Sequence, residues 1–140
     1  MSQQSVGYLL LKCSRVVSRL YQKELYPHGI TAPQSAIIAL LGERGEMGQS
    51  DICTALNLDK ANASIMLRRM INDGLVKDRG HEKDRRQVLH SLTPKGKKLV
   101  PIVREIDEKV NKMLHESLGT RLSEQTFKTL TNLYGDEKLR

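Results

Sequence analysis

The chain has 140 residues, of which 39% are hydrophobic and 28% are charged, and this composition predicts one globular domain with its own core. No apolar run approaches the roughly 20 residues of a membrane span, and the first residues lack a signal-peptide pattern, so we expect a cytoplasmic protein. One Phe, four Tyr and no Trp argue against surfaces that stack on single-stranded nucleic acid. The two cysteines make neither a disulfide scaffold nor a zinc site, and we expect no cofactor and no metal.

The first predicted helix covers residues 5 to about 26 and ends at Pro27-His28-Gly29. Its apolar residues recur at steps of three and four, as in an amphipathic helix: Val6, Leu9, Leu10, Cys13, Val16, Val17 and Leu20. This stripe is long for a small domain, so we expect part of it to contact a second protein chain.

A compact, buried helix is predicted next. Thr31 precedes Pro33 at the spacing that opens a helix. The apolar residues of this helix are Ile37, Ile38, Leu40 and Leu41. We predict a loop over residues 42–48 after it.

Two helices joined by a tight turn follow this loop. We predict the first over residues 49–57 and the second, which is basic, over residues 59–73. Asp59 is the expected N-cap of the second helix, and Gly74 supplies the left-handed residue that ends it. Apolar residues recur in the second helix at Ile65, Leu67, Met70 and Ile71.

The remaining pattern predicts a hairpin and two more helices. Leu75-Val76 and Val88 to Leu92 are the predicted strands, around a charged loop over residues 77–86. Thr93-Pro94 opens a long amphipathic helix that Gly119 ends, and Pro101 lies where it could kink or delay that helix. A last helix is predicted from Ser123. The fold class is therefore mainly α with a small β-hairpin wing.

Positive charge is concentrated in the middle of the chain. Residues 60–98 contain eleven Lys and Arg against four Asp and Glu, which equals the net charge of +7 of the whole chain. A solvated helical face would mix signs, whereas these cations crowd one helix and one hairpin tip. The pattern favours a phosphate-binding surface over a feature that only confers solubility.

A helix–turn–helix followed by a basic hairpin is the layout of a winged helix-turn-helix that binds double-stranded DNA. The basic helix would enter the major groove and the hairpin tip would reach the neighbouring backbone or minor groove. The predicted DNA contacts are Gln49, Ser50, Lys60, Asn62, Ala63, Ser64, Arg68, Arg69, Arg79, His81, Lys83, Arg85 and Arg86.

Three segments resemble the MarR family of bacterial transcription regulators: Asp73-Gly74-Leu75-Val76, Asp84-Arg85-Arg86 in the charged loop, and Leu92-Thr93-Pro94-Lys95-Gly96. The resemblance implies a homodimer in which residues of about 31–98 form the DNA-binding unit and those of about 5–26 and 95–136 form a dimerisation bundle. It also implies that Arg86 reaches the minor groove and that Asp84 holds the wing arginine or its backbone in place.

The chain departs from this family at Ile65, where many relatives have a basic residue. The usual base contact is therefore in doubt, and Asn62 and Ser64 become the expected readers, since asparagine pairs bidentately with adenine. Ile65 itself is either a core residue or a contact to a thymine methyl group.

The resemblance further implies a repressor that a small anionic or phenolic molecule releases from a near-palindromic operator. The predicted lining residues could pair with a carboxylate or phenolate, although each could also be an ordinary surface residue. They are Tyr8, Arg15, Arg19, Tyr26 and His28.

Two alternatives stay open, a redox sensor and a protein-binding adapter, and an enzyme is a third class to consider. A branch of the family senses peroxides through a first-helix cysteine, which would be Cys13, but a thiol on an apolar stripe is more often an inert core residue. A winged-helix adapter that binds protein would not need a basic wing. An enzyme is not expected, because the chain lacks a phosphate loop, a nucleophile elbow and metal-ligand spacings.

Overall fold

The computed structural model describes residues 2–80, 82–84 and 86–139, and in these it confirms the predicted fold class. Six α-helices and a small antiparallel sheet make up this part of the chain: α1 (Val6–Leu25), α2 (Ala32–Arg44), β1 (Met47–Gly48), α3 (Gln49–Leu56), α4 (Lys60–Asn72), β2 (Val76–Gly80), β3 (Val88–Leu92), α5 (Pro94–Leu118) and α6 (Thr120–Gly135). The chain divides into two compact units, Met1–Ile106 and Asp107–Arg140.

Side-chain caps set the starts of the helices in the first unit. Thr31 and Gln34 form a reciprocal capping box, in which Gln34 N donates to Thr31 Oγ1 at 3.3 Å and Thr31 N donates to Gln34 Oε1 at 3.0 Å. Asp59 caps α4 as predicted, because its Oδ1 accepts a hydrogen bond of 2.8 Å from Asn62 N. Gly74, with φ of +72°, follows α4 and turns the chain toward the sheet.

The sheet has the order β1-β3-β2, so β3 is its central strand. The predicted loop over residues 42–48 was wrong at both ends, because α2 continues to Arg44 and Met47–Gly48 pairs with β3 opposite His90 and Leu89. The predicted loop over 77–86 was too long, because Lys77 to Gly80 belong to β2. β1 has only two residues, too few to show an alternation of apolar and polar side chains. β2 buries only Val76, so neither strand has the period-2 pattern from which a strand is predicted.

The core of the first unit consists of aliphatic side chains from helices and sheet. Its largest fully buried members are Leu25, Ile37, Ile38, Ile52, Leu67, Met70 and Val76. These residues hold α3, α4 and the sheet together, so the basic helix and the wing are fixed on one rigid support.

The Thr93 to Gly96 segment attaches α5 to the first strand of the wing. Thr93 Oγ1 donates to Gly74 O at 2.5 Å and accepts from Gly96 N at 3.1 Å. A Cβ atom at Gly96 would lie 2.1 Å from Leu75 O, so the close approach of the two backbones requires glycine here. The Leu92 to Gly96 segment, one of the three that carry the family resemblance, thus joins the wing to the rest of the unit.

α5 runs through Pro101 without interruption and ends before Gly119, where φ is +77°. α6 begins at Thr120, three residues earlier than predicted. In the described part of the chain, no helix is long and apolar enough to cross a membrane.

Candidate nucleic-acid interface

A tight turn between α3 and α4 places the basic helix. Asn57 has a left-handed backbone with φ of 50°, and Leu58 N donates to Cys53 O at 3.0 Å. Gln49 Nε2 reaches from the start of α3 to Lys60 O at 3.3 Å. Gln49, a predicted DNA contact, therefore also joins the starts of the two helices, while Ser50 beside it is exposed.

α4 has a buried face and an exposed face, which decide the expectations for its middle residues. Ala63, a predicted DNA contact, is fully buried with Leu67 and Met70, so this prediction was wrong. Ile65 is 60% exposed and is not a core residue. A step of two residues rotates a helix by about 200°, so Ile65 lies opposite Ala63 and Leu67. The exposed residues of the helix include Lys60, Asn62, Arg68 and Arg69, whereas Ser64 is half-buried.

Asn62, the predicted base reader, is hydrogen-bonded to Asp59, the residue that caps α4. Its side-chain amide donates to Asp59 Oδ2, and its backbone N–H donates to Asp59 Oδ1. The backbone N–H of Asn62 is the main cause that lowers the pKa of the Asp59 carboxyl. The second amide N–H and the amide oxygen of Asn62 are the groups that a bidentate contact with adenine would use.

The wing tip is shaped by Asp84. Its Oδ1 accepts a hydrogen bond of 3.0 Å from Arg86 N, and its carbonyl oxygen accepts one of 3.0 Å from Gln87 N. These bonds fold the backbone so that Arg86 is presented as an exposed side chain, next to exposed Lys83. The predicted contacts His81 and Arg85 lie outside the described residues.

Arg79, another predicted DNA contact, forms a bidentate pair with Glu46. Arg79 Nε lies 2.7 Å from Glu46 Oε2, and Arg79 Nη2 lies 2.5 Å from Glu46 Oε1. The hydrogen bonds that Arg79 donates to the Glu46 carboxylate raise the pKa of Arg79. Glu46 was missed from the sequence, because it precedes the unrecognised strand β1 and lies 33 positions from its partner. The pair ties β2 to the segment before β1 and neutralises one wing cation.

His90 is buried at the centre of the sheet, opposite Met47 on β1 and Asp78 on β2. Among the described residues, neither ring nitrogen has a hydrogen-bond partner. Burial lowers the pKa of His90, and the opposing effect of the Asp78 charge is smaller. His90 is therefore a neutral residue of the wing's support at physiological pH.

A single chain does not bring the five predicted ligand residues together. Tyr8 and Tyr26 are separated by 18 positions along α1 and its continuation, or about 27 Å. Lys12 Nζ lies 5.6 Å from the centre of the Tyr8 ring, and Arg19 Nε donates to Arg15 O at 3.4 Å. Arg15, Arg19, Tyr26 and His28 are exposed.

An open cleft of about 310 Å³ lies elsewhere, between the start of α2 and α4. Its lining residues are Thr31, Pro33, Gln34, Leu58, Asn62, Ile65, Met66 and Arg69. Sequence patterns did not reveal this cleft, because it joins residues about 30 positions apart. It places one exposed cation, Arg69, beside apolar walls.

Cys13 is exposed on α1, which corrects its expected place in the core. Cys13 shares its face with the exposed apolar residues of α1, and exposure in a single chain does not by itself make a redox sensor. No group of three or more His, Cys, Asp or Glu side chains in the described ranges could hold a metal ion.

A family model for a winged helix DNA-binding domain matches residues 30–96, which include α2, α3, α4 and the wing. This match and the geometry of the basic helix and wing define a winged-helix DNA-binding protein.

Comparison with known proteins shows which DNA-binding proteins this chain is similar to. The transcriptional regulator MgrA of Staphylococcus aureus is 26% identical over 134 residues, or 95% of this chain and 87% of MgrA. A MarR transcriptional regulator of Methanosarcina mazei is 25% identical, with a TM-score of 0.81 over 92% of this chain and 93% of that one. BpsR of Bordetella bronchiseptica has a TM-score of 0.91 at 22% identity, over 98% of each chain.

The winged-helix domain and these similarities along most of the chain support a DNA-binding transcriptional regulator of the MarR type. The resemblance predicted from the sequence is thereby supported, and the similar proteins named here are transcriptional regulators.

Proposed function

We propose that this regulator binds a near-palindromic duplex site as a homodimer, and that it is a repressor released by a small anionic or phenolic molecule. The observation that carries the proposal is the exposed face of α4, where Arg68 and Arg69 lie on a helix held at the surface by α3 and its turn. A helix presented in this way fits the major groove.

The proposed DNA contacts have two roles. Lys60, Arg68 and Arg69 on α4, with Lys83 on the wing, are placed to bind phosphates and supply affinity that does not depend on sequence. Arg86 is proposed to enter the minor groove, because arginine suits a narrow, electronegative groove better than lysine does. The hydrogen bond from Arg86 N to Asp84 supports this role, since it fixes the backbone from which the side chain extends.

The homodimer is supported by apolar side chains that each unit leaves exposed. In the first unit these belong to the N-terminal half of α1: Val6, Leu9, Leu10, Leu11 and Val16. In the second unit they belong mainly to α6: Leu122, Phe127, Leu130, Leu133 and Tyr134. Such stripes favour burial against a second copy of the chain. Two copies would place two α4 helices about one duplex turn apart.

We propose that the ligand binds in the cleft beside α4. Arg69 could pair with a carboxylate there, and the apolar walls could hold an aromatic ring. Because Arg69 is also a proposed DNA contact, one molecule in the cleft would compete with DNA. DNA binding by BpsR is regulated by 6-hydroxynicotinic acid, which has a carboxylate and an aromatic ring, the two features that the cleft could bind.

Selection of bound sequences from a random duplex pool tests the DNA-binding proposal. We expect wild-type protein to enrich a near-palindromic sequence. Arg68→Ala should weaken binding to it and reduce the dependence of log affinity on log salt by about two units, one for each copy of the chain in the dimer. Arg44→Ala, which removes one exposed cation from the end of α2, is the matched control and should change neither. Equal effects of the two variants would contradict the assignment of α4.

Two further measurements test the dimer and the ligand. Sedimentation equilibrium should give twice the mass of the chain, and Phe127→Asp should shift the protein toward the monomer and weaken duplex binding. Adding 6-hydroxynicotinic acid as a probe should release the selected duplex from wild type but not from a Met66→Trp variant, in which the cleft is filled. Release from both proteins would place the ligand site elsewhere.

A further inference from the structure

Ile65 lies in the middle of the exposed face of α4, where it lines the cleft but is not part of the core. It is 60% exposed, whereas Ala63, Leu67 and Met70 of the same helix are at most 1% exposed. Isoleucine also has a lower helix propensity than alanine, because its branched side chain loses freedom in a helix. Ile65 therefore stabilises neither the core nor the helix.

The neighbours of Ile65 show what this face would fit. Asn62 and Ala61 lie one turn before it, and Arg68 and Arg69 lie one turn after it; all four are exposed. The surface thus has an apolar centre next to cations. In the major groove of DNA, phosphates flank the base edges in the same arrangement, so the charges of the two surfaces are complementary.

We propose that Ile65 contacts the 5-methyl group of a thymine and thereby determines part of the sequence specificity. This inference rests on the proposed function, in which α4 enters the major groove. The pyrimidine 5-methyl group is the apolar feature that base pairs present there. Unmodified DNA supplies it as thymine, and 5-methylcytosine carries the same group.

The size of the effect follows from the area that one methyl group buries. Removing a methyl group that is enclosed by an apolar side chain should lower affinity about fourfold. Arg68 and Arg69 would supply phosphate contacts that are insensitive to this methyl group. Loss of the methyl group and loss of the Ile65 side chain should therefore have the same, non-additive effect.

The experiment uses the duplex that wild type enriches from a random pool, resynthesised with deoxyuridine at each symmetry-related pair of thymines in turn, so that both half-sites of the dimer change together. This replacement removes only the methyl groups and keeps base pairing. We expect at least one pair at which it weakens wild type about fourfold for each half-site, or roughly sixteenfold in all. Ile65→Ala should bind the thymine duplex as weakly as wild type binds that uracil duplex, and should not distinguish the two. Far-ultraviolet circular dichroism should show an unchanged fold, since the side chain is exposed and alanine favours the helix.

Arg68→Ala is the matched control, because it lies on the same face and should weaken both duplexes while keeping the ratio of affinities that wild type shows. The proposal is overturned if Ile65→Ala keeps the wild-type ratio, or if no deoxyuridine position weakens wild type. A duplex with 5-methylcytosine at its cytosines identifies the source of the methyl group, and a gain there without a uracil effect also overturns the assignment to thymine. If wild type enriches no duplex at all, the proposed function fails as well, and this is seen before any deoxyuridine is introduced.

Discussion

The contact between Gly96 and the start of β2 makes a substitution there the most informative test of how the wing is attached. In Gly96→Ala, the new Cβ would lie 2.1 Å from Leu75 O, more than 1 Å inside an ordinary carbon–oxygen contact. The obstacle is backbone and cannot rotate away, so α5 must move from β2 and the two hydrogen bonds of Thr93 must lengthen.

The expected magnitude combines three effects. Forcing an atom into packed structure costs about 3 kcal/mol, and weakening the Thr93 hydrogen bonds costs about 1 kcal/mol more. Replacing glycine by alanine within a helix offsets about 1 kcal/mol. The net loss of about 3 kcal/mol should lower the midpoint of thermal unfolding by roughly 10 °C.

Thermal unfolding followed by far-ultraviolet circular dichroism measures this loss. Gly7→Ala is the matched control, because a Cβ atom at this helical glycine meets nothing within 4 Å and should leave the midpoint equal or slightly higher. If Gly96→Ala unfolds within about 2 °C of wild type, the close approach of α5 to β2 does not exist as described.

Three more predictions follow from single contacts. Thr31→Ala removes the capping box and should destabilise the protein by about 1 kcal/mol in chemical denaturation; no change would mean that α2 does not depend on its cap. Glu46→Gln removes the charge that neutralises Arg79, so log affinity for the selected duplex should fall more steeply with log salt, by up to about one unit for each copy of the chain in the dimer; an unchanged slope would show that Arg79 does not reach phosphates. Burial lowers the pKa of His90, so below the ordinary value of 6.5 the unfolded chain binds a proton that the folded chain takes up less readily. Stability should therefore fall as pH drops through that value, and His90→Leu should flatten this part of the profile; identical profiles would contradict the burial of a neutral ring.

The sequence predicted the elements whose signals are local. Asp59 could be assigned as a cap because a cap oxygen and the backbone N–H that donates to it lie within three residues. The strand β1 could not be predicted, because two residues have no periodicity and are fixed only by pairing with β3. Lys77 to Gly80 were placed in a loop because their side chains are exposed, although their backbones pair with β3.

The parts of the candidate site that depend on tertiary structure were the ones missed. The pair of Glu46 and Arg79 and the cleft beside α4 each join residues far apart in sequence. Ala63 was predicted to contact DNA although it is buried, and Ile65 was left as either a core residue or a base contact although it is exposed. The two lie on opposite faces, and only packing shows which face is covered.

The direct test of the whole account is the affinity of the wild-type protein for duplex DNA measured over a range of salt concentrations. Among the described residues of α4 and the wing tip, four exposed cations are proposed to bind phosphates: Lys60, Arg68, Arg69 and Lys83. At about −0.9 per phosphate, one copy of the chain predicts a slope of roughly −3 to −4 in a plot of log affinity against log salt, and the proposed dimer predicts a steeper one. A slope near zero, or no detectable duplex binding at low salt, would contradict the assignment of α4 and the wing as the DNA-binding surface.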